Sequence, residues 1–591
     1  MIVTTVPCVL QRQTRGKDDD QPASAKTPKQ NQATRTKMAN ICTRSMMMAK
    51  LLSHTKTGKR VVSTSTSNRQ GAQVMSISDV IQQECPFRTA FEKVGNVVKV
   101  PKKTESYTPA TKLKSFEEVP GPKGLPVIGT LLDYFKKDGP RFNKMFEAYQ
   151  NRALQYGDIY KENIATISTV VISDPDEYAK VIRAEGRYPN RREMEPLAYY
   201  RKQKGIGLGL VSSQGEEWHK YRTVTNKKML KLKEVANYCG PMHEVATDFV
   251  QHLSNVSGPT DDVKGIQGEL FKWAMESIGT FLFEQRLGCF GKSQCKETKS
   301  FINNLFGFFQ TLQPLMYNVP VYKLYPTKLW KQFESYGDNV LRHGRYFVEK
   351  RMNQLQNADS DYSVEDNSSF LSYLLSHESL TTKEAVATAV DLLVGATETT
   401  TNATLWTLYC LGNNPEVQET FFEEIHRVLP NGEEISPEKL KELPYVKAIL
   451  KETLRLYPIT FATSRILQDD VEIAGYKVPS GSHVQANLYG MYRNPGFFPE
   501  PEKFKPERWL RETSDMTTSL KALSNLVWGH GARMCIGRRF AEQEIHLLLT
   551  KIVQKFKLQY DGEAVHPVLK TVMTPDRPVN LRFIPRHEVT S

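Results

Sequence analysis

The chain is poor in cysteine, and its cysteines follow no disulfide framework. The eight stand at positions 8, 42, 85, 239, 289, 295, 410 and 535, with no C-x-x-C pair. In a chain of 591 residues this excludes a small disulfide-stapled scaffold and points to a reducing compartment with free thiols. No run of about 18 apolar residues occurs, so no transmembrane helix is predicted. Internal repeats are absent, which excludes solenoids and propellers. No G-x-G-x-x-G follows a strand-like run, so the chain carries no dinucleotide-binding signature. Between Gln21 and Ser78 there is no Asp or Glu, while ten Lys or Arg are present.

The missing acids locate the charge. The formal net charge is +14, and residues 1–110 hold 18 Lys/Arg against 7 Asp/Glu, about +11 of that total. A nucleic-acid binder carries its excess on a folded face. Here it lies in a Ser/Thr-rich leader, so no nucleic-acid partner is expected. Basic, Ser-rich and acid-poor is the composition of a mitochondrial transit peptide, drawn inward by the membrane potential. The same composition also permits a disordered basic tail. The acids Asp18–Asp20 interrupt the pattern, and a start at Met38 gives a cleaner leader. The chain therefore divides into a leader with transit peptide and linker over 1–110 and one domain over 116–585.

The domain reads as mainly α with a minor β portion. Pro120-Gly-Pro-Lys-Gly-Leu-Pro-Val-Ile-Gly129 is too rich in Pro and Gly for a helix. A helical pattern follows over 139–156. Ile159–Ile164 and Thr169–Ser173 suit a hairpin. Asp174-Pro-Asp-Glu reads as a capped helix start. Helical periodicity dominates 215–460, and Gly475, Pro479 and Gly481 then punctuate short strands. About 470 residues is large for one domain, which a buried cofactor would help explain.

Cys535 is the candidate for chemistry. It lies in Trp528-Gly-His-Gly-Ala-Arg-Met-Cys-Ile-Gly537, ahead of a helical pattern from Arg538. A thiolate there is stabilised by the helix dipole and unpaired N–H groups. Gly531 and Gly537 would let the backbone approach a flat macrocycle. The segment resembles the haem-binding loop F-G-x-G-x-R-x-C-x-G of the cytochrome P-450 family, with Trp528 in place of Phe. Glu452-Thr-Leu-Arg455 with Arg508 resembles the family's E-x-x-R network, and Gly395-Ala-Thr-Glu-Thr-Thr400 its oxygen-binding helix. The resemblance covers about 116–585.

That resemblance implies haem b (iron protoporphyrin IX), with Cys535 as the axial thiolate and metal ligand. It implies propionate contacts from Trp218, Arg222, Arg465 and Arg533, with His219 beside them. It gives Thr399 a hydrogen bond to dioxygen and Glu398 a proton relay, as the catalytic pair. Glu452, Arg455 and Arg508 would brace the cysteine loop. Lys447 and Lys451 stand at i, i+4, where like charges are disfavoured by about 0.2–0.5 kcal/mol. With Arg538 and Arg539 they resemble the ferredoxin-docking surface of the mitochondrial branch. The implied partners are an adrenodoxin-like ferredoxin and its NADPH-dependent reductase.

The implied activity is monooxygenation of a lipophilic small molecule, steroid- or sterol-like or xenobiotic, at the matrix side of the inner mitochondrial membrane. The pocket would draw on 190–211, 305–317, Asp391 to Thr399, and Ile459 to Ala462. Phe301–Phe309, Leu315–Tyr317 and Tyr322–Lys331 form an aromatic and basic stretch suited to peripheral membrane contact. A peroxide-rearranging haem-thiolate enzyme and a non-catalytic haem carrier or sensor are the competing readings.

Overall fold

A computed structural model describes residues 112–586, except 166, 291–294, 318, 358–369, 431–432 and 511–522. Residues 1–110, where the leader and transit peptide are expected, lie outside the described residues. The helices are α1 (Met145–Tyr156), α2 (Pro175–Arg183), α3 (Glu195–Lys204), α4 (Gly209–Ser212), α5 (Gly215–Met229), α6 (Leu232–Ala236), α7 (Cys239–Val256), α8 (Ile266–Phe283) and α9 (Lys296–Tyr317). They continue with α10 (Lys328–Asn357), α11 (Phe370–Ser376), α12 (Thr382–Asn413), α13 (Pro415–Val428), α14 (Pro437–Lys441), α15 (Pro444–Leu456), α16 (Leu488–Tyr492) and α17 (Arg538–Lys555). The fold is mainly α, with a minor β portion.

The longest helix of the core is α12. Thr381 and Glu384 close a capping box at its start: the Glu384 N–H donates to Thr381 Oγ1 at 3.3 Å, and the Thr381 N–H to Glu384 Oε2 at 2.9 Å. Beyond Thr397 it is buried on nearly every side, packed along α8 and α10. Several of its threonines tolerate this because their hydroxyls donate one turn back. Thr397 bonds Leu393 O, Thr401 bonds Thr397 O, and Thr407 bonds Ala403 O, each at 2.7–2.8 Å.

The β portion includes a sheet of β1 (Ile159–Ile164), β2 (Ile167–Ile172), β7 (His483–Asn487) and β4 (Ala462–Ile466), in that spatial order. The hairpin β1/β2 pairs Ile159 with Ile172, and β2 runs parallel to β7. Between them in sequence, β5 (Val471–Ile473) and β6 (Tyr476–Val478) turn at Ala474 and Gly475, both at positive φ. Smaller pairings join β3 (Asp262–Val263), β11 (Leu581–Pro585) and β8 (Phe556–Gln559), and β9 (Pro567–Leu569) with β10 (Met573–Pro575).

The capped start of α2 forms as expected, with the Glu177 N–H donating to Asp174 Oδ1 at 2.8 Å. The helix expected over 139–156 is shorter. Arg141 is extended, a 3-10 turn covers 142–144, and α1 begins at Met145. Pro140 disfavours helical geometry in the residue before it and lacks the N–H of a helix interior.

Candidate active site

A cavity of about 460 Å³ opens between α12 and the cysteine loop. Cys535 lies deep in the protein, yet its side chain has free surface because it faces this space. Its N–H donates to Trp528 O at 2.6 Å, which closes the loop. Helix α17 starts only at Arg538, so the sulfur is not in the first turn itself. Burial raises the thiol's pKa, while the Gly537 N–H and the positive charge of Arg222 pull it down. Deprotonation then calls for a further cation on the open side, which a bound metal ion supplies.

The glycines work differently from the expectation. Gly531 has φ +68°, and a Cβ there would strike the Glu185 carboxylate; Gly529, not anticipated, is also left-handed at +78°. Gly537 faces open space. Gly395 on α12 likewise leaves open space on the cavity side.

Four guanidinium groups converge on one side of this cavity: Arg191, Arg222, Arg465 and Arg533. Arg533 donates to Pro189 O, Ser213 O and Gln214 Oε1, and it stacks 3.9 Å from the Trp218 ring. Burial, with repulsion from Arg191, Arg465 and Arg222, pushes its pKa down to about 8. Burial lowers Arg222 and Arg191 to about 10. The Nε of Arg222 is buried with no hydrogen-bond partner. Arg465 is already occupied, bonding Glu185 Oε2 at 2.6 Å and His530 O at 2.7 Å. Such a crowded set of buried cations is stabilised by anions placed among them. A flat group with two carboxylates and a metal centre above the bare sulfur fits these residues. Arg191 was missed because nothing in Arg187-Tyr-Pro-Asn-Arg-Arg192 distinguishes it from a surface loop.

Across the cavity stands Thr399, whose hydroxyl donates to Gly395 O at 2.8 Å. Glu398 does not line the cavity. Its Oε2 is buried without a partner, and burial pushes its pKa to about 8 against the attraction of Lys570. Thr400 turns toward α17 and donates to Glu544 Oε1 at 3.1 Å. Glu544, a second acid not anticipated, is also raised to about 8 by burial.

Asp391 was expected among the pocket residues. It points instead into a buried ion pair with Arg201 of α3 and accepts the Leu210 N–H at 3.1 Å. It thus fixes α4, whose Leu210 and Val211 do line the cavity, as do Ile459 and Ala462. The 305–317 stretch is not among the lining residues. Phe301, Phe308 and Phe309 are core side chains of α9, and Tyr322 stacks inward on Trp330 at 4.5 Å. In this stretch Phe306 is half exposed on α9, and the turn after α9 exposes more, with Leu324 92% and Val319 75% accessible; Val127 and Leu154 are comparably exposed elsewhere. Among the described residues no helix is long and apolar enough to cross a membrane.

Glu452, Arg455 and Arg508 meet in one network. Arg455 donates to both carboxylate oxygens of Glu452 at 2.8 and 2.9 Å, and Arg508 adds a bond at 3.2 Å. The Trp509 indole and the Lys505 N–H complete the set. Every acceptor site is used, which is what makes a buried acid tolerable.

On the opposite side of the cysteine loop lies a surface groove of about 720 Å³. It gathers Lys447, Lys451, Arg538 and Arg539, with Lys233 and Lys441 not anticipated. Burial lowers the pKa of both Lys447 and Lys451, and for Lys447 the charges of Lys441 and Lys451 add to the effect. Arg538 and Arg539 share Glu542 at 2.9 and 3.6 Å. Val527 and Trp528 line both groove and cavity, so the two are separated by a thin wall.

A profile of the cytochrome P450 family matches residues 119–583. The chain is 54% identical to "Cytochrome P450 10" of Lymnaea stagnalis over 533 residues, 89% of this chain and 96% of that protein. It is 33% identical to the "Sterol 26-hydroxylase, mitochondrial" of Rattus norvegicus, covering 80% of this chain and 90% of that one. It is 30% identical to the "1,25-dihydroxyvitamin D(3) 24-hydroxylase, mitochondrial" of Mus musculus, again over 80% and 90%. With a bare cysteine facing an arginine-lined cavity and this similarity along the whole domain, the chain belongs to the cytochrome P450 family of haem-thiolate monooxygenases.

Proposed function

We propose that this protein is a mitochondrial, ferredoxin-fed hydroxylase of a sterol- or secosteroid-sized lipophile, with a leader over 1–110 that carries the transit peptide and a catalytic domain over 116–585. The observation that carries the reading is the pairing of the Cys535 cavity with a cationic groove behind the same loop. When bound, haem supplies the reduction and cleavage of dioxygen at an iron held by a thiolate. Cys535 would hold its iron through the thiolate sulfur. Arg222, Arg533 and Arg191 would take the two propionates, and Arg465, which lines the same cavity, would add its charge from beside them while bonded to Glu185 and His530 O. Trp218 acts beneath Arg533, holding that guanidinium in place.

Thr399 places its Oγ1 at the cavity wall, and its hydroxyl would turn from Gly395 O to donate to a bound group. Glu398 holds a proton at neutral pH and so can give one up in turn. Leu210, Val211, Ile459 and Ala462 form an apolar wall, which excludes water and favours a lipophilic substrate. Glu452, Arg455 and Arg508 lock α15 to the 500–509 segment. The groove's lysines and arginines attract an acidic one-electron carrier and orient it toward Trp528. The exposed turn at 319–325 makes peripheral contact with the inner membrane from the matrix side.

The test is a spectral titration of the haem-loaded protein with sterols, secosteroids and xenobiotics, followed by turnover of whichever ligand binds. Product should form with a ferredoxin and its NADPH-dependent reductase. Turnover supported by lipid hydroperoxide alone would favour the peroxide-rearranging reading, and no turnover with either would favour a carrier. Cys535→His should abolish the red-shifted carbon monoxide band.

A further inference from the structure

A run of aromatic rings that the oxygenation does not use leads from the cavity wall to the surface. Trp406 is fully buried in α12, less than one helical turn beyond Ala403, which lines the cavity. Its ring lies flat on Tyr457, with centroids 4.0 Å apart and planes 3° from parallel. Its indole N–H donates to Met573 O at 3.3 Å, and the Met573 N–H donates to the O of Ile459, another lining residue. The stacked pair thus stands directly behind the wall. Tyr409 follows, 5.8 Å from Trp406 and 6.2 Å from Tyr457, and Tyr560 lies 5.0 Å beyond Tyr409. The Tyr560 hydroxyl makes an exposed bond to Glu563 O at 2.7 Å.

All four rings are Trp or Tyr, the side chains that give up an electron most readily; Phe would fill the same space without that property. Trp218 and Trp528 also line the cavity. Each has a guanidinium near its face, at 3.9 and 6.0 Å, which repels positive charge on the ring. Among the described residues no Lys or Arg stands over the face of any of the four rings, although the charges of Arg493 and Arg577 reach Tyr457 and Tyr560 from the side.

We propose that Trp406, Tyr457, Tyr409 and Tyr560 form an escape route that carries an oxidising equivalent to the surface when oxygen is reduced with no substrate to accept it. This rests on haem bound in the Cys535 cavity. Trp406 gives one electron to the oxidised cofactor, and no bond breaks. An electron drawn through the intervening rings from Tyr560 refills it. Tyr560 loses its phenolic proton to water at the same time and becomes a neutral tyrosyl radical. A small thiol returns one electron and one proton, and two of the resulting thiyl radicals couple to a disulfide. The route protects the site by moving damage to a repairable surface position.

The test uses the full haem-loaded chain without substrate, treated with cumene hydroperoxide and a nitroso spin trap, with adducts mapped by mass spectrometry. Wild type should carry the adduct on Tyr560. Trp406→Phe should lower that adduct at least tenfold and speed haem bleaching, with the carbon monoxide band and substrate-binding spectrum unchanged. Tyr409→Phe, which leaves the tryptophan site intact, should lower it as well. An unlabelled Tyr560 in wild type, or labelling in the two variants that equals wild type, overturns the route. A wild type lacking the red-shifted carbon monoxide band overturns the haem-thiolate reading instead.

Discussion

At the scale of single residues, burial sets protonation. Glu544 lies against Ser277 and Thr400, and its carboxyl is pushed to about 8. An unfolded chain releases that proton near the ordinary carboxyl value of about 4.3. Between those two values the folded state binds more protons, so its stability is greatest at low pH within the window and falls as pH rises toward 8. Glu544→Gln removes this contribution. The slope of unfolding free energy between about pH 5 and pH 8, from urea titrations, should therefore flatten relative to wild type. Thr399 is a prediction about chemistry. Thr399→Ala deletes a hydroxyl that α12 places at the cavity wall, and product formed per reducing equivalent should fall several-fold while substrate still binds. Unchanged coupling would remove Thr399 from the catalytic set.

Elements show how unequal the members of a network can be. Arg455 is fully buried and grips both oxygens of Glu452, whereas Arg508 supplies one longer bond from a more open position. Removing one partner of a buried ion pair costs about 3–5 kcal/mol. Arg455→Met should approach that figure in urea unfolding, and Arg508→Ala should cost less than half as much. Equal losses would show that the network cannot be apportioned this way. Helix α15 carries a second prediction on its other face. Lys447→Glu with Lys451→Glu reverses two of the groove's charges and removes most of its net positive charge without touching the cavity. Ferredoxin should then bind more weakly, and the donor concentration for half-maximal rate should rise. The wild-type rate should fall with salt, since screening lengths are near 10 Å at 0.1 M, and the double variant should lose most of that dependence.

For the whole molecule, the question is delivery. The described residues hold the catalytic domain, and about +11 of the +14 net charge precedes them. Residues 1–110 fused to a fluorescent reporter should send it to mitochondria, as read by co-localisation and protease protection. A reporter spread through the cytosol or the endoplasmic reticulum would end the localisation proposal. The distribution of charge supports this proposal, with a basic leader for import ahead of a nearly balanced domain.

The sequence alone determined the family, the mainly α fold and the residues whose chemistry depends on local spacing. The cysteine loop, Glu452 with Arg455, and Glu398 with Thr399 are legible because each motif lies within a turn or loop, where neighbours are fixed by the chain itself. Tertiary structure alone decided which distant residue faces which. Arg191 joins the cavity while Arg465 is occupied by Glu185, 280 positions away. Asp391 turns from the pocket to Arg201, 190 positions away, and Thr400 finds Glu544 across 144. The Phe301–Phe309 run, suited on composition to a membrane, supplies core side chains because α9 packs against α10. Such pairings depend on how helices cross, and a local pattern carries no information about the element that will stand opposite it.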